Sequence, residues 1–148
     1  MTERYAYILM INGKWWNEFC RLNRLGETTH SYVQGSWAPP KTAELLFFYV
    51  VKPIGEVQGY AEFIERKVGK MEALWEEYGR ESCLPYEEYD DLMRGRLNVT
   101  FIRFENLWEA SKPIPLSNIL MLLGVNRMPR RGLYIGKETA DKLIELME

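Results

Sequence analysis

Leu45-Leu46-Phe47-Phe48-Tyr49-Val50-Val51-Lys52-Pro53-Ile54-Gly55-Glu56-Val57-Gln58-Gly59-Tyr60-Ala61-Glu62-Phe63-Ile64-Glu65-Arg66 is the stretch that decides the fold. Its first seven residues are an unbroken apolar, β-branched and aromatic run, the pattern of a strand buried on both faces. Lys52-Pro53-Ile54-Gly55 interrupts the run, because proline has no ladder donor and glycine accepts turn dihedrals. From Val57 onward the residues alternate. Val57, Gly59, Ala61 and Phe63 share one face; Gln58, Tyr60, Glu62 and Ile64 share the other. The stretch therefore reads as a β-hairpin with a buried first arm and a half-solvated second arm. Gly59 and Ala61 are small, so another element is expected to pack closely on that arm.

Elements of both kinds flank the hairpin. Tyr5–Ile11 reads as a strand ended by Asn12-Gly13. Beyond it, Trp15, Phe19, Leu22 and Leu25 recur at helical spacing, with Trp16 and Cys20 as a shoulder and Gly26 as a C-cap. Glu27–Lys41, rich in Thr, Ser, Gly and Pro, is expected to be a long loop, and it carries His30, Tyr32 and Trp37. Met71, Leu74, Trp75 and Tyr78 mark an amphipathic helix, and Pro85 opens another, ending near Gly95. Its Glu87-Glu88 and Asp90-Asp91 pairs read as a solvated face, since adjacent helix positions diverge. Leu97–Phe104 is a returning strand, and Asn106–Lys112 a turn or strand end carrying Trp108. Leu116–Leu123 is a short apolar helix, Leu133–Ile135 a short strand. A last helix from about Lys137 has Ala140, Leu143, Ile144 and Met147 on one face.

With 148 residues, 47 % hydrophobic and 14 % aromatic, the chain is expected to be one α+β domain over 1–148, with a helical insertion at about 69–95. Its formal charge of −2 excludes a polyanion binder of the wholly basic kind, so nucleic acid would have to be met by a local basic patch or by aromatic stacking. Two cysteines and one histidine give neither a disulfide scaffold nor a zinc signature, and no cofactor is implied. No apolar run reaches membrane length, and Met1-Thr2-Glu3-Arg4 with the short apolar run after it lacks a signal-peptide pattern. The expectation is a soluble, cytoplasmic, reduced protein without membrane contact. GxGxxG, P-loop, HExxH, CxxC and GxSxG motifs are all absent from the sequence.

Two constellations carry candidate chemistry. Lys14, Trp15, Trp16 and Asn17, with Trp37 from the loop, offer stacking surface and a base-edge partner; each base–aromatic stack contributes on the order of 1–3 kcal/mol. Arg127, Arg130 and Arg131 before Gly132 offer guanidinium forks to phosphates. The alternatives are packing roles for Trp15 and Trp16, a solvated Lys14–Glu18 pair, and an arginine loop that balances nearby acids.

Taken in order, these elements resemble the PUA-like superfamily, through its ASCH and EVE branches and a small archaeal family of unknown function. The residues behind the likeness are Gly13-Lys14-Trp15, the Phe47–Val51 core, Gly55–Arg66, Trp75–Gly79, Phe101 and Phe104, Lys112–Pro115 and Gly132–Gly136. The resemblance implies a small, partly closed β-barrel of five to six mostly antiparallel strands flanked by helices, with RNA or a modified nucleotide bound in a cleft. The ASCH motif G-x-K-x-x-E-x-R is met by Gly13 and Glu18 at its spacing, while Lys14 and Arg21 each stand one residue away from it. The leading expectation is thus a non-enzymatic RNA- or nucleotide-binding module. The alternatives are a small amidohydrolase-like enzyme, with Lys14 and Glu18 as catalytic residues beside Thr28 or Thr29, and a protein-interaction module. Oligomeric state stays open.

Overall fold

The computed structural model describes residues 4–148; of the N-terminal segment read above for a leader, Met1, Thr2 and Glu3 lie outside the described residues. Six strands form one mixed sheet: β1 (Ala6–Ile11), β2 (Thr29–Gln34), β3 (Leu45–Val50), β4 (Glu56–Gly69), β5 (Val99–Pro115) and β6 (Leu133–Ile135). Their order is β2-β5-β4-β3-β1-β6, with β1 parallel to β3 and every other pair antiparallel. Five α-helices accompany them among the described residues: α1 (Gly13–Arg24), α2 (Met71–Tyr78), α3 (Tyr86–Met93), α4 (Leu116–Leu123) and α5 (Lys137–Met147).

The central hairpin forms where its sequence places it, except that a register break between Val57 and Gly59 turns Val57 to the face opposite Ala61 and Phe63. β3 lies between β1 and β4, and its side chains divide by parity. Leu46, Phe48 and Val50 join a core capped by α1, while Phe47 and Tyr49 join a second core under α4 and α5. A continuous apolar run is what a strand covered on both faces requires. The small-residue arm is explained by Trp16: a side chain on Gly59 would collide with the Trp108 carbonyl and come within 2.7 Å of the Trp16 ring.

β4 and β5 are long, and their register breaks three times, with a fourth break between Phe48 and Tyr49 on the β3 side. Such bulges bend and twist a sheet. The bend does not close it, because β2 and β6 are edge strands not paired with each other. The six mostly antiparallel strands expected from the resemblance are present, but they form an open sheet in place of a partly closed barrel.

Three local readings change. Thr29–Gln34, expected to be loop, is the edge strand β2, with His30, Ser31, Tyr32 and Val33 all buried. Its polar residues are tolerated because they find partners: the Ser31 hydroxyl donates to Glu81 at 2.9 Å, and His30 Nε2 lies 3.2 Å from Asn23 Oδ1. Asn106–Lys112 is not a turn but the middle of β5, which passes through Asn106 at φ 53°. Finally, α1 buries Trp16, Phe19 and Cys20, with Trp15 and Leu22 half-buried and Leu25 exposed; Phe19 of the expected stripe faces inward together with the shoulder, and the buried face is turned toward Trp16 and Cys20.

Between β4 and β5, α2 and α3 with the 3-10 turn Gly79–Glu81 pack Leu74, Tyr78, Tyr89 and Met93 onto Val33, Val99 and Phe101. A half-buried ion network joins this helical segment to the sheet. Arg103 donates to both Glu81 oxygens at 2.9 Å and to Glu65 at 2.5 Å. These bonds and the two carboxylates raise the Arg103 guanidinium above its usual value, although burial opposes them. Burial is the largest single influence on Glu81 and pushes its carboxyl up, but the hydrogen bonds of Arg103 and Ser31 and the Arg103 charge together hold it below its usual value.

Candidate nucleic-acid interface

The strand ends of β1 and β2 meet three loops at a cleft of about 380 Å³. Leu9 and Met10 come from β1, Tyr32 and Gln34 from β2, and Gly35, Ser36, Ala38 and Pro39 from the loop that follows. Arg96 arrives from the α3–β5 connection, Arg130 and Arg131 from the α4–β6 loop. Among the described residues none of these three arginines has an ion-pair partner, and no carboxylate lines the cleft. Arg21, Arg24, Arg94 and Arg103 are all paired with carboxylates. In a chain of net negative charge, the cleft is therefore a local concentration of uncompensated positive charge.

Local sequence explains how each arginine is placed. Gly132 has φ +89°, and a Cβ there would collide with the Ile8 carbonyl. Only glycine lets the arginine loop lie against β1 in this way. The Tyr7 hydroxyl donates to the Arg131 carbonyl and fastens the loop from below. Burial, with Tyr134 nearby, pushes the Tyr7 phenol up to about 12, against the pull of Arg131, so it remains a donor through the neutral range. On the other side, an added Cβ on Gly35 would lie 2.6 Å from Arg96 Nη1; the bare glycine gives that guanidinium its seat. The loop after β2 is tied to β5 by Ser36 Oγ donating to Asn98 O at 2.6 Å and by Ala38 N donating to Thr100 Oγ1 at 3.3 Å. Lys41 N donates to the Tyr134 hydroxyl at 3.0 Å.

The cleft floor is Tyr32, whose hydroxyl donates to Met10 O at 2.9 Å. Burial raises its phenol strongly, so it too stays protonated. Burial also pushes the thiols of Cys20 and Cys83 up to about 12, which removes them as thiolate nucleophiles. No group of three His, Cys, Asp or Glu among the described residues could hold a metal ion.

The residues expected from sequence fall into three places. Arg130 and Arg131 line the cleft; Arg127 is exposed in the same loop but does not line it. Trp37, 61 % exposed, stands at the rim between the cleft residues Ser36 and Ala38. The third group lies behind the cleft. Trp16 is 3 % exposed and packs at 5.1 Å from Phe48, so its expected role as a stacking surface is corrected to a core role. Trp15 is half-buried, edge-on to Tyr32 at 5.9 Å, and donates Nε1–H to Glu88 at 3.0 Å. Lys14 binds the same carboxylate at 3.2 Å, and Glu18 forms a two-bond pair with Arg21. The Lys14–Glu18 pair considered for hydrolysis is therefore not assembled. Asn17 is exposed on α1. Thr28 lies elsewhere, with Asn23, Asn106, Leu107 and Trp108 around a smaller cavity of about 230 Å³, while Thr29 begins β2. Arg96, Gln34 and Ser36 were not anticipated. The visible signal was Arg94-Gly95-Arg96, a basic turn directly before a strand.

No family model matches the sequence. Among curated proteins, the chain is 25 % identical over 131 residues to an ASCH domain-containing ribonuclease of Zymomonas mobilis subsp. mobilis, spanning 88 % of this chain and 87 % of that protein. Among solved structures, ASCH from Zymomonas mobilis superposes with TM-score 0.77 at 21 % identity, over 99 % of this chain and 98 % of the other. A serine-to-alanine variant of ZmASCH superposes with TM-score 0.79 at 20 % identity over the whole of both chains. The architecture is that of the ASCH, PUA-like fold.

Proposed function

We propose that this chain, built on the ASCH-type PUA-like fold, binds RNA in the cleft between β1, β2 and the arginine loop. The observation that carries the reading is the convergence of Arg96, Arg130 and Arg131, unpaired and with no carboxylate beside them, on a polar cleft. Guanidinium forks match phosphate oxygens in geometry and charge. Gln34 and Ser36 at the same wall add groups able to hydrogen-bond a sugar hydroxyl or a base edge. Trp15 and Trp16 drop out of the binding surface, and Lys14 with Asn17 lies on α1 outside the cleft lining.

A second reading, RNA cleavage, is favoured by the relative named as a ribonuclease. Three arginines would stabilise charge on a phosphorane. Yet no lining residue is a histidine or a carboxylate, so the cleft suits phosphate binding better than proton transfer.

One experiment tests both. Fluorescently labelled RNA is titrated with the wild-type protein and with an Arg130→Ala/Arg131→Ala double variant, and the bound RNA is then resolved on a denaturing gel. The expected result is saturable binding, weakened at least tenfold in the double variant, with the RNA intact. Equal binding by both proteins refutes the cleft; cleavage by the wild type that the double variant lacks establishes the second reading.

A further inference from the structure

Trp37 stands out as a large apolar side chain left in solvent at the edge of this charged cleft. It is 61 % exposed, and its backbone sits at φ +56°, a region that side-chain-bearing residues visit rarely. The hydrogen bonds of Ser36 to Asn98 and of Ala38 to Thr100, on either side of it, hold the chain in that conformation. The Arg66 guanidinium lies 5.4 Å from the centre of the indole ring and also donates to Ala38 O at 3.4 Å. The indole is thus backed by a cation, and most of the residue is open to solvent. Its sequence neighbours Ser36 and Ala38 line the cleft together with Arg96, Arg130 and Arg131.

Resting on the RNA-binding reading above, we infer that Trp37 is a stacking platform for a splayed base, which makes unpaired RNA the ligand class of this cleft. A strand whose phosphates sit on the arginines would pass the rim, where one base can lie on the exposed indole. The bases of a duplex are already stacked and paired, so their faces are not available to an aromatic ring except at the ends. Stacking of this kind tolerates any base, because every base has a π-face, and the guanidinium beneath adds a cation–π contribution.

The test uses the full chain with two probes, a labelled single-stranded oligouridylate and a blunt RNA duplex of equal length, read by fluorescence anisotropy at one salt concentration. The wild type should bind the single strand on the order of tenfold tighter than the duplex. Trp37→Ala should lose roughly tenfold for the single strand and nothing for the duplex. Trp37→Phe, which keeps an aromatic face, should retain most of the affinity. Because Trp37 is exposed, both variants should melt with the wild type. Single-strand binding unchanged in Trp37→Ala but weakened in Arg130→Ala/Arg131→Ala overturns the platform and leaves the arginine cleft standing. Absence of RNA binding by the wild type overturns both. A Trp37→Ala variant that loses self-association while keeping full RNA affinity overturns it in favour of protein docking.

Discussion

The sharpest prediction concerns salt. Each cation that neutralises a phosphate of a single strand releases condensed counterions, so the logarithm of the binding constant falls with the logarithm of salt at a slope of about −0.7 per contact. The cleft offers Arg96, Arg130 and Arg131, so the wild type should show a slope of about −2. Between about 50 and 200 mM salt, affinity should then fall roughly twentyfold. Arg130→Ala removes one contact; the slope should ease to about −1.4, and the same salt change should cost only about sevenfold. Trp37→Ala removes no cation and should weaken binding at every salt concentration without altering the slope. Anisotropy titrations at four or more salt concentrations measure all three. A wild-type slope of about −5 or steeper would mean that a larger basic surface binds the RNA. A slope that ignores Arg130→Ala would mean that the phosphates lie elsewhere, and the cleft assignment would fall.

Two further predictions concern the scaffold. Gly59→Ala places a methyl group against the Trp108 carbonyl and 2.7 Å from Trp16 Cη2; overpacking against backbone should cost about 2–3 kcal/mol and lower the Tm by roughly 5–10 °C in calorimetry. A melting temperature unchanged by that substitution would contradict the close packing of α1 on β4. Burial lowers the pKa of His30 below its ordinary 6.5, against the opposing pull of Glu27 and Glu81. The unfolded chain therefore takes up this proton at a higher pH than the folded one. Stability from the neutral imidazole is complete above pH 6.5 and is lost as pH falls from there through the folded value. His30→Gln should flatten that part of the Tm–pH curve, and equal curves for the two proteins between ~pH 5 and ~7.5 would refute it.

The elements that could be read from sequence share one property: their pattern is local. β3 is a continuous apolar run because both its faces are covered, and the small Gly59 marks the place where Trp16 packs on β4. The stripe of Ala140, Leu143 and Met147 on α5 is buried as its spacing predicts. In α1 the spacing marks the right element and part of its buried face: Phe19 is inside, while Trp15 is half-buried and Leu25 exposed. Trp15 and Trp16 are one residue apart, about 100° around a helix, and both belong to plausible stripes. The partners that choose between them, Gly59, Phe48 and Glu88, are contributed by distant strands and by α3.

β2 shows the converse. Thr-His-Ser-Tyr-Val-Gln looks like loop because its buried polar groups need partners: Glu81 lies 50 residues away on the helical segment, and Asn23, though only 7 residues back, reaches His30 only once α1 has packed on the sheet. The binding surface depends still more on such meetings. Arg130 and Arg131 were visible as a basic run, and Trp37 as an aromatic in a long segment, but nothing local joins Arg96 to them. Sequence alone determined the hairpin, the helices and the supply of arginines. The tertiary structure decided which arginines share a cleft and which tryptophan stands at its rim. Those outcomes depend on strand order, on bulges that bend β4 and β5, and on Gly35 and Gly132 where backbone must come close, none of which any single element contains.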